Sequence, residues 1–496
     1  MQPGAATILK PGDNCWRIEP ARRASLIVDA EDYFRIARQA IVGARSQILI
    51  MGWDLDTRIC LDRDPDGEAP DVLGPLISWV SKKRPDLHIY ILAWSGESYR
   101  YLGRGSTIFR LAQWARRDNI SFKLDRQHPL EASHHQKILV VDDALAFCGG
   151  IDIAGSRWDT RSHRDNDPRR SRPTTGRHYH PWHDMTMAVD GAAAEAIGDL
   201  ARIRWQAATG QTLPTSRSGS DPWPEELKPQ LRDVNVGISR TRGQVGPLKE
   251  VREIEKLFVD MIGAAKRHIY VEQQYFASRA IAEAVAKRLT EADGPEMVVV
   301  NPRTGEGWLD DKVMSAARHE LVRLMRECPY ADRFQIYYPV TQKGEDIYVH
   351  AKLMIVDDLM IRVGSANMNN RSMGLDSECD VMIDSRLADD PEVPATIARI
   401  RCDLMGEHLG CDPATVEELF GHTGSLIETI ELLRGGGRSL RPLDPEEPDA
   451  LGKMVARSEV ADPDSACHPF EPAAQDRLFG RLRSIARRRG EARGRS

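Results

Sequence analysis

An internal repeat constrains this chain more than any other feature. The segment HQKILVVDDALAFCGGID, beginning at His135, aligns with HAKLMIVDDLMIRVGSAN, beginning at His350, at a constant offset of 215 residues and without a gap. His135 falls on His350, Lys137 on Lys352, Asp142 on Asp357, Asp143 on Asp358 and Gly149 on Gly364, with apolar residues facing apolar ones between them. Each copy reads as strand, polar turn, strand. The order upstream also repeats: a helical pattern over 33–41 precedes the apolar run 47–51, and one over 251–265 precedes a strand over 268–276. Two similar α/β lobes are expected, each a mixed β-sheet flanked by helices. Their bounds are 1–215 and 231–410, joined by the Pro-, Ser- and Gly-rich stretch 212–230, with 411–496 as a C-terminal extension.

In each copy a His and a Lys stand two residues apart at the head of an apolar run, so on extended backbone both side chains share a face. Asp142 and Asp357 complete the two His-Lys-Asp motifs and are grouped with the catalytic residues on that account, although their opposite parity, at the turn of a hairpin, reads first as structural. Cleavage of a phosphodiester needs a nucleophile, a proton donor for the leaving oxygen, and positive charge on the phosphoryl oxygens. Two His and two Lys supply all three without a metal, so no cofactor is expected. The spacing does not distinguish the nucleophile from the acid/base.

Composition narrows the substrate. A net charge of −6 disfavours a surface built to grip nucleic-acid phosphates. No apolar stretch is long enough to span a bilayer. The first twenty residues lack the basic start and apolar core of a secretory leader, so the cytoplasm or a membrane surface is the expected location. Eight scattered cysteines without a C-x-x-C pair fit free thiols.

With its flanks, the repeat resembles the phospholipase D superfamily. GGIDIAGSRWDT (149–160), PWHDM (181–185), IYVEQQYF (269–276) and IYVHAKLMIVDD followed by GSANMNNRSMGLDSE (347–378) are similar to the catalytic core of plant and animal phospholipases D, over roughly residues 26–409. The chain looks like a stripped, bacterial version without the lipid-binding modules that precede that core in eukaryotes. The resemblance implies a pseudo-two-fold active site at the lobe interface and a phosphohistidine intermediate, with His135 as nucleophile and His350 as acid/base. It further implies that Lys137, Lys352 and Asn367, with Ser365 beside it, bind or support the phosphoryl group, and that Asp184 and Glu378 each orient a histidine. Where the second repeat has Asn367 the first has Asp152, which when ionised cannot donate to a phosphoryl oxygen and is assigned to the polar network.

The implied activity is hydrolysis of a glycerophospholipid such as phosphatidylcholine, with transfer to other alcohols. Calcium stimulation and action on host membranes after export by another route stay open. A cardiolipin synthase-type phosphatidyltransferase and a nucleic-acid phosphodiesterase are the alternatives. His178, His180, His183 and Asp184 have loosely metal-like spacing, but they sit in or at the edge of the Arg-rich insertion 156–182, expected to form a long surface loop, and no Cys pair accompanies them, so a metal site is not expected there. The tail from Arg477 to Arg495 carries eight arginines against one acid and is read either as an interfacial helix for anionic lipid or as a solubilising terminus.

Overall fold

A computed structural model describes residues 6–444 except 66, 98–103, 130–131, 217–218 and 307, together with residue 462, and gives only the backbone of 308–314. The arginine tail lies outside the described residues. The first half contributes β1 (Arg17–Val28), β2 (Gln47–Gly52), β3 (His88–Trp94), β4 (Ile120–Asp125), β5 (Ile138–Val141), β6 (Leu145–Gly149), β7 (Trp182–His183) and β8 (Met185–Asp190). The second contributes β9 (Leu231–Arg242), β10 (Val251–Arg252), β11 (His268–Gln273), β12 (Glu296–Val300), β13 (Phe334–Val340), β14 (Tyr348–Val349), β15 (Lys352–Val356), β16 (Met360–Gly364), β17 (Glu378–Asp384) and β18 (Ser439–Pro442).

The chain is α/β, and the expected duplication is visible in its strand order. One sheet runs β4-β3-β2-β5-β6-β8-β1 through the first half and β9-β17-β16-β15-β11-β12-β13-β18 through the second, joined where β1 pairs antiparallel with β9. In each half, two outer strands run parallel to β2 or β11, and the hairpin carrying the repeat lies antiparallel beside it. The repeat strands Ile138–Val141 and Lys352–Val356 are buried at every position, as strands covered on both faces must be.

Helices cover both faces. Ala30–Gly43 buries Tyr33, Phe34, Ile36, Ala37, Ala40 and Ile41, and its counterpart Glu253–Ala264 buries Ile254, Leu257, Phe258, Met261 and Ile262, spacings of three and four residues that make one apolar stripe. On the other face, Gly191–Thr209 and Glu392–Leu409 close an apolar layer that continues beneath both halves.

Three expectations change. The C-terminal extension is not separate from the second lobe as far as residue 442: helices Pro413–Thr423 and Leu426–Leu433 lead into β18, which adds an antiparallel edge to β13. A four-residue strand ending in proline has too little alternation to be read from sequence. The strand expected over 268–276 ends at Gln273, where the chain turns toward the site. The insertion 156–182 is not simply a surface loop, because Arg157, Asp159, His163, Asp167 and Arg170 are buried under its exposed turn.

Candidate active site

The hairpin turns explain the paired aspartates. Asp142 and Asp143 adopt φ of 56° and 54°, and Asp357 and Asp358 adopt 56° and 58°, a left-handed pair that Asp tolerates better than most side chains. Asp142 then accepts the backbone N–H groups of Arg45, Ser46 and Gln47 at 2.7–2.8 Å, and Asp357 accepts those of Lys266, Arg267 and His268 at 2.7–2.9 Å. Each carboxylate thus holds the loop that leads into the central strand of its half. Neither lines the cleft that holds the histidines, so their grouping with the catalytic residues is corrected: they act on the fold.

At the other end of each hairpin the chain crosses to the opposite half. β7 pairs with β14, the His350 N–H donates to the His183 carbonyl at 2.7 Å, and the His135 N–H donates to the Ser377 carbonyl at 3.0 Å. These crossings bring His135 and His350 to one open cleft of about 330 Å³, lined also by Lys137, Asp152 and Asn367.

The orienting carboxylates are exchanged between the halves. His135 Nδ1 lies 3.0 Å from both Glu378 oxygens, and His350 Nδ1 lies 2.6 Å from Asp184 Oδ2. Asp184 and Glu378 are equivalent by register: Gly149 pairs with Thr186 and Gly364 with Asp380, and each carboxylate sits two residues before that partner. A carboxylate at Nδ1 keeps the ring proton there and leaves Nε2 with a lone pair. Gly150 is required on the first side, since a Cβ would collide with the Asp184 carboxylate. On the second side Ser365 stands in its place and donates to Glu378 at 2.5 Å, joined by Ser372 at 2.7 Å. Ser365 therefore supports Glu378 and is not part of the cleft lining.

Burial dominates the electrostatics. It pushes both His135 and His350 well below the ordinary imidazole value, with Lys137 and Lys352 adding to the effect. It also raises Asp184 to about 7, against the pull of Lys352, and raises Glu378. Lys352, fully buried, is lowered to about 7 by desolvation. Its Nζ donates to the His350 carbonyl and to Gln274 Oε1 at 3.1 Å, and lies 3.2 Å from His350 Nδ1. Lys137 Nζ is 3.1 Å from Asp152 Oδ2, whose Oδ1 accepts the Trp53 N–H, so Asp152 belongs to the polar network. Asn367 is buried with Oδ1 free of a hydrogen bond and its backbone N–H donated to Ser372.

Two family matches follow the same division of the chain. Residues 40–223 match the family described as Phospholipase D, and residues 258–398 match the family described as Cardiolipin synthase, PLD-like domain. This chain belongs to the phospholipase D superfamily. It is 28% identical over 459 residues to phospholipase D A of Dictyostelium discoideum, covering 78% of this chain and 36% of the relative. It is 23% identical over 512 residues to phospholipase D alpha 4 of Arabidopsis thaliana, covering 82% and 66%. The chain thus spans from about a third to two thirds of the length of these relatives. Among solved structures, phosphatidylserine synthase of Haemophilus influenzae Rd KW20 superposes with a TM-score of 0.54 at 12% identity, covering 83% of this chain and 96% of that one, and shares the fold.

Against this superfamily background, Arg157 is a cleft residue that motif reading missed. Its guanidinium stacks 4.3 Å over Trp182, pairs with Glu306 at 3.3 Å, and has its pKa raised despite burial by Glu306 and Asp152. It sits in the segment SRWDT, whose signal was carried only by family likeness. Trp53 and Trp94 stack with centroids 5.8 Å apart at the rim. The seven described cysteines are free, with Cys148 and Cys379 of opposite halves 3.5 Å apart, sulfur to sulfur. No helix among the described residues is long and apolar enough to cross a membrane.

Proposed function

We propose that this chain is a phospholipase D-type phosphodiesterase that hydrolyses a glycerophospholipid, phosphatidylcholine foremost, to phosphatidate and the head-group alcohol. The observation that carries the reading is the pair of crossed dyads: two imidazoles face one cleft, each held at Nδ1 by a carboxylate from the opposite half, with Nε2 left for chemistry. A nucleophile must be neutral, and burial favours neutral His135. Its side chain is also the more accessible of the two, 15% exposed against 6% for His350.

In this mechanism His135 Nε2 attacks phosphorus and the bond to the head-group oxygen breaks. The Asp184–His350 pair, which holds a proton because burial raises Asp184 to about 7, delivers it to that oxygen through His350 Nε2 as the Asp184 proton passes to Nδ1. His350 then takes a proton from water, which attacks the phosphohistidine and releases phosphatidate and neutral His135. Lys137, Lys352, Asn367 and Arg157 bear on the phosphoryl oxygens as charge develops. An alcohol in place of water gives a new phosphodiester, so a phosphatidyltransferase uses the same residues. The match of residues 258–398 to a cardiolipin synthase-type domain keeps that second reading in view.

The test follows choline, phosphatidate and phosphatidylethanol released from phosphatidylcholine vesicles with a little ethanol and a calcium chelator. Wild type is expected to make all three, and His135→Ala none. Cleavage of a DNA or cardiolipin-type diester with phosphatidylcholine untouched would sink the substrate assignment.

A further inference from the structure

Behind the Asp184–His350 dyad lies a second cluster that the proposed chemistry does not use. His183, next to Asp184, is fully buried and faces His163 of the insertion, Asp29 at the end of β1, and Glu407 of the helix Glu392–Leu409. One donor atom from each of the four residues lies within 4.8 Å of the others, and close contacts run from residue to residue, Asp29 turning a different oxygen to each histidine. His163 Nε2 is 3.4 Å from Asp29 Oδ2 and 3.1 Å from Glu407 Oε1, while His183 Nδ1 is 3.2 Å from Glu407 Oε1 and 3.3 Å from Asp29 Oδ1. A tetrahedral zinc ion with bonds of ~2.0–2.1 Å has ligand-to-ligand edges of about 3.3–3.4 Å.

The far side of each ring has the arrangement that metal-binding histidines favour. His163 Nδ1 is 2.9 Å from Asp159 Oδ2, and His183 Nε2 is 2.7 Å from Glu272 Oε2. A carboxylate behind each imidazole fixes the tautomer and turns the lone pair of the near nitrogen into the cluster. Asp29 Oδ2 and His183 Nδ1 are both buried without a hydrogen-bond partner, and both point into it. Four buried carboxylates, Asp29, Asp159, Glu272 and Glu407, are answered locally by Arg161, Arg170 and Arg438.

We propose that Asp29, His163, His183 and Glu407 bind one divalent transition-metal ion, zinc by its geometry, as a structural site that ties the two halves together behind the cleft. Two imidazoles and two carboxylates suit zinc better than calcium, which prefers an all-oxygen shell. Three ligands come from the first half and Glu407 from the second, so the ion fixes the β7 crossing that carries Asp184 to His350. Its part is to position; it does not touch the substrate. Without it the cluster must hold protons instead: burial disfavours charged imidazoles, yet the surrounding carboxylates raise His163 to about 9 and His183 well above its ordinary value.

The experiment measures metal on the full chain, made without a polyhistidine tag and dialysed into metal-free buffer, by plasma mass spectrometry. About one zinc per chain is expected, and exchange of the stripped protein into cobalt should give the visible bands of a tetrahedral site. Asp29→Asn and His163→Gln should lose the metal and melt earlier. Glu272→Gln should keep the stoichiometry but weaken affinity about 10–100-fold. Wild type that carries no metal and takes up neither zinc nor cobalt overturns the site, as does a folded His163→Gln variant with full occupancy. Should the variants fail to fold, the wild-type metal content and cobalt spectrum decide alone. None of these readouts depends on the lipid reaction.

Discussion

Lys352 shows how burial sets the working range of a single residue. It is fully enclosed beside His350, and desolvation lowers it to about 7, with Asp184 and Glu378 opposing the shift and Lys137 and Arg157 adding to it. Below that value the ammonium is present and can face phosphoryl oxygens; above it the charge is lost. The specificity constant reports the free enzyme, so kcat/KM on a soluble short-chain phosphatidylcholine should fall from about pH 7 upward, roughly tenfold per pH unit. No loss is expected near the ordinary imidazole value on the acid side from His135, which burial keeps neutral well below it. Lys352→Arg keeps its charge at all these values, so the variant, even if slower, should lack the alkaline limb. A limb unchanged in Lys352→Arg would assign it to another group.

At the scale of elements, the repeat hairpins were legible because two independent signals coincided. Parity placed each His and Lys on one face, and Asp142-Asp143 and Asp357-Asp358 marked turns that need left-handed backbone. The crossing of the carboxylates was not legible. Asp184 and Glu378 follow His135 and His350 in sequence, yet each serves the other histidine, because the short crossings at β7–β14 and at His134–Ser377 carry the chain across the interface. Such pairings span 166 and 243 residues and leave no local pattern. The buried insertion was misread for a related reason: its charged residues pair with one another and with Glu407 of the distant helix, so composition alone suggested solvent.

The hairpin carboxylates give a prediction at this scale. Asp142→Asn loses charge-assisted bonds to three N–H groups and leaves part of them poorly paired, which costs about 2–4 kcal/mol. It does so without touching the cleft. Its kcat at low temperature should stay within about threefold of wild type, while chemical denaturation should report lower stability. A large loss of kcat in a well-folded variant would return Asp142 to the catalytic set.

For the whole molecule, the question is whether two lobes with similar folds unfold as two units. The sheet runs without a break through the β1–β9 pairing, one apolar layer continues beneath both halves, and each histidine is held by the other half. Separate unfolding would have to break that layer and leave Asp184 and Glu378 without their imidazoles, so coupling should win and calorimetry should show one transition. The matched carboxylates test this with opposite ends of the molecule. Asp142→Asn weakens only the first half locally and Asp357→Asn only the second, at the same three backbone groups. In a coupled molecule both variants move the same single transition, by about 1–3 °C per kcal/mol for a chain of this size. In an uncoupled one the trace divides, and each variant displaces only its own half. The second result would mean that the interface seats the active site without stabilising the lobes that form it.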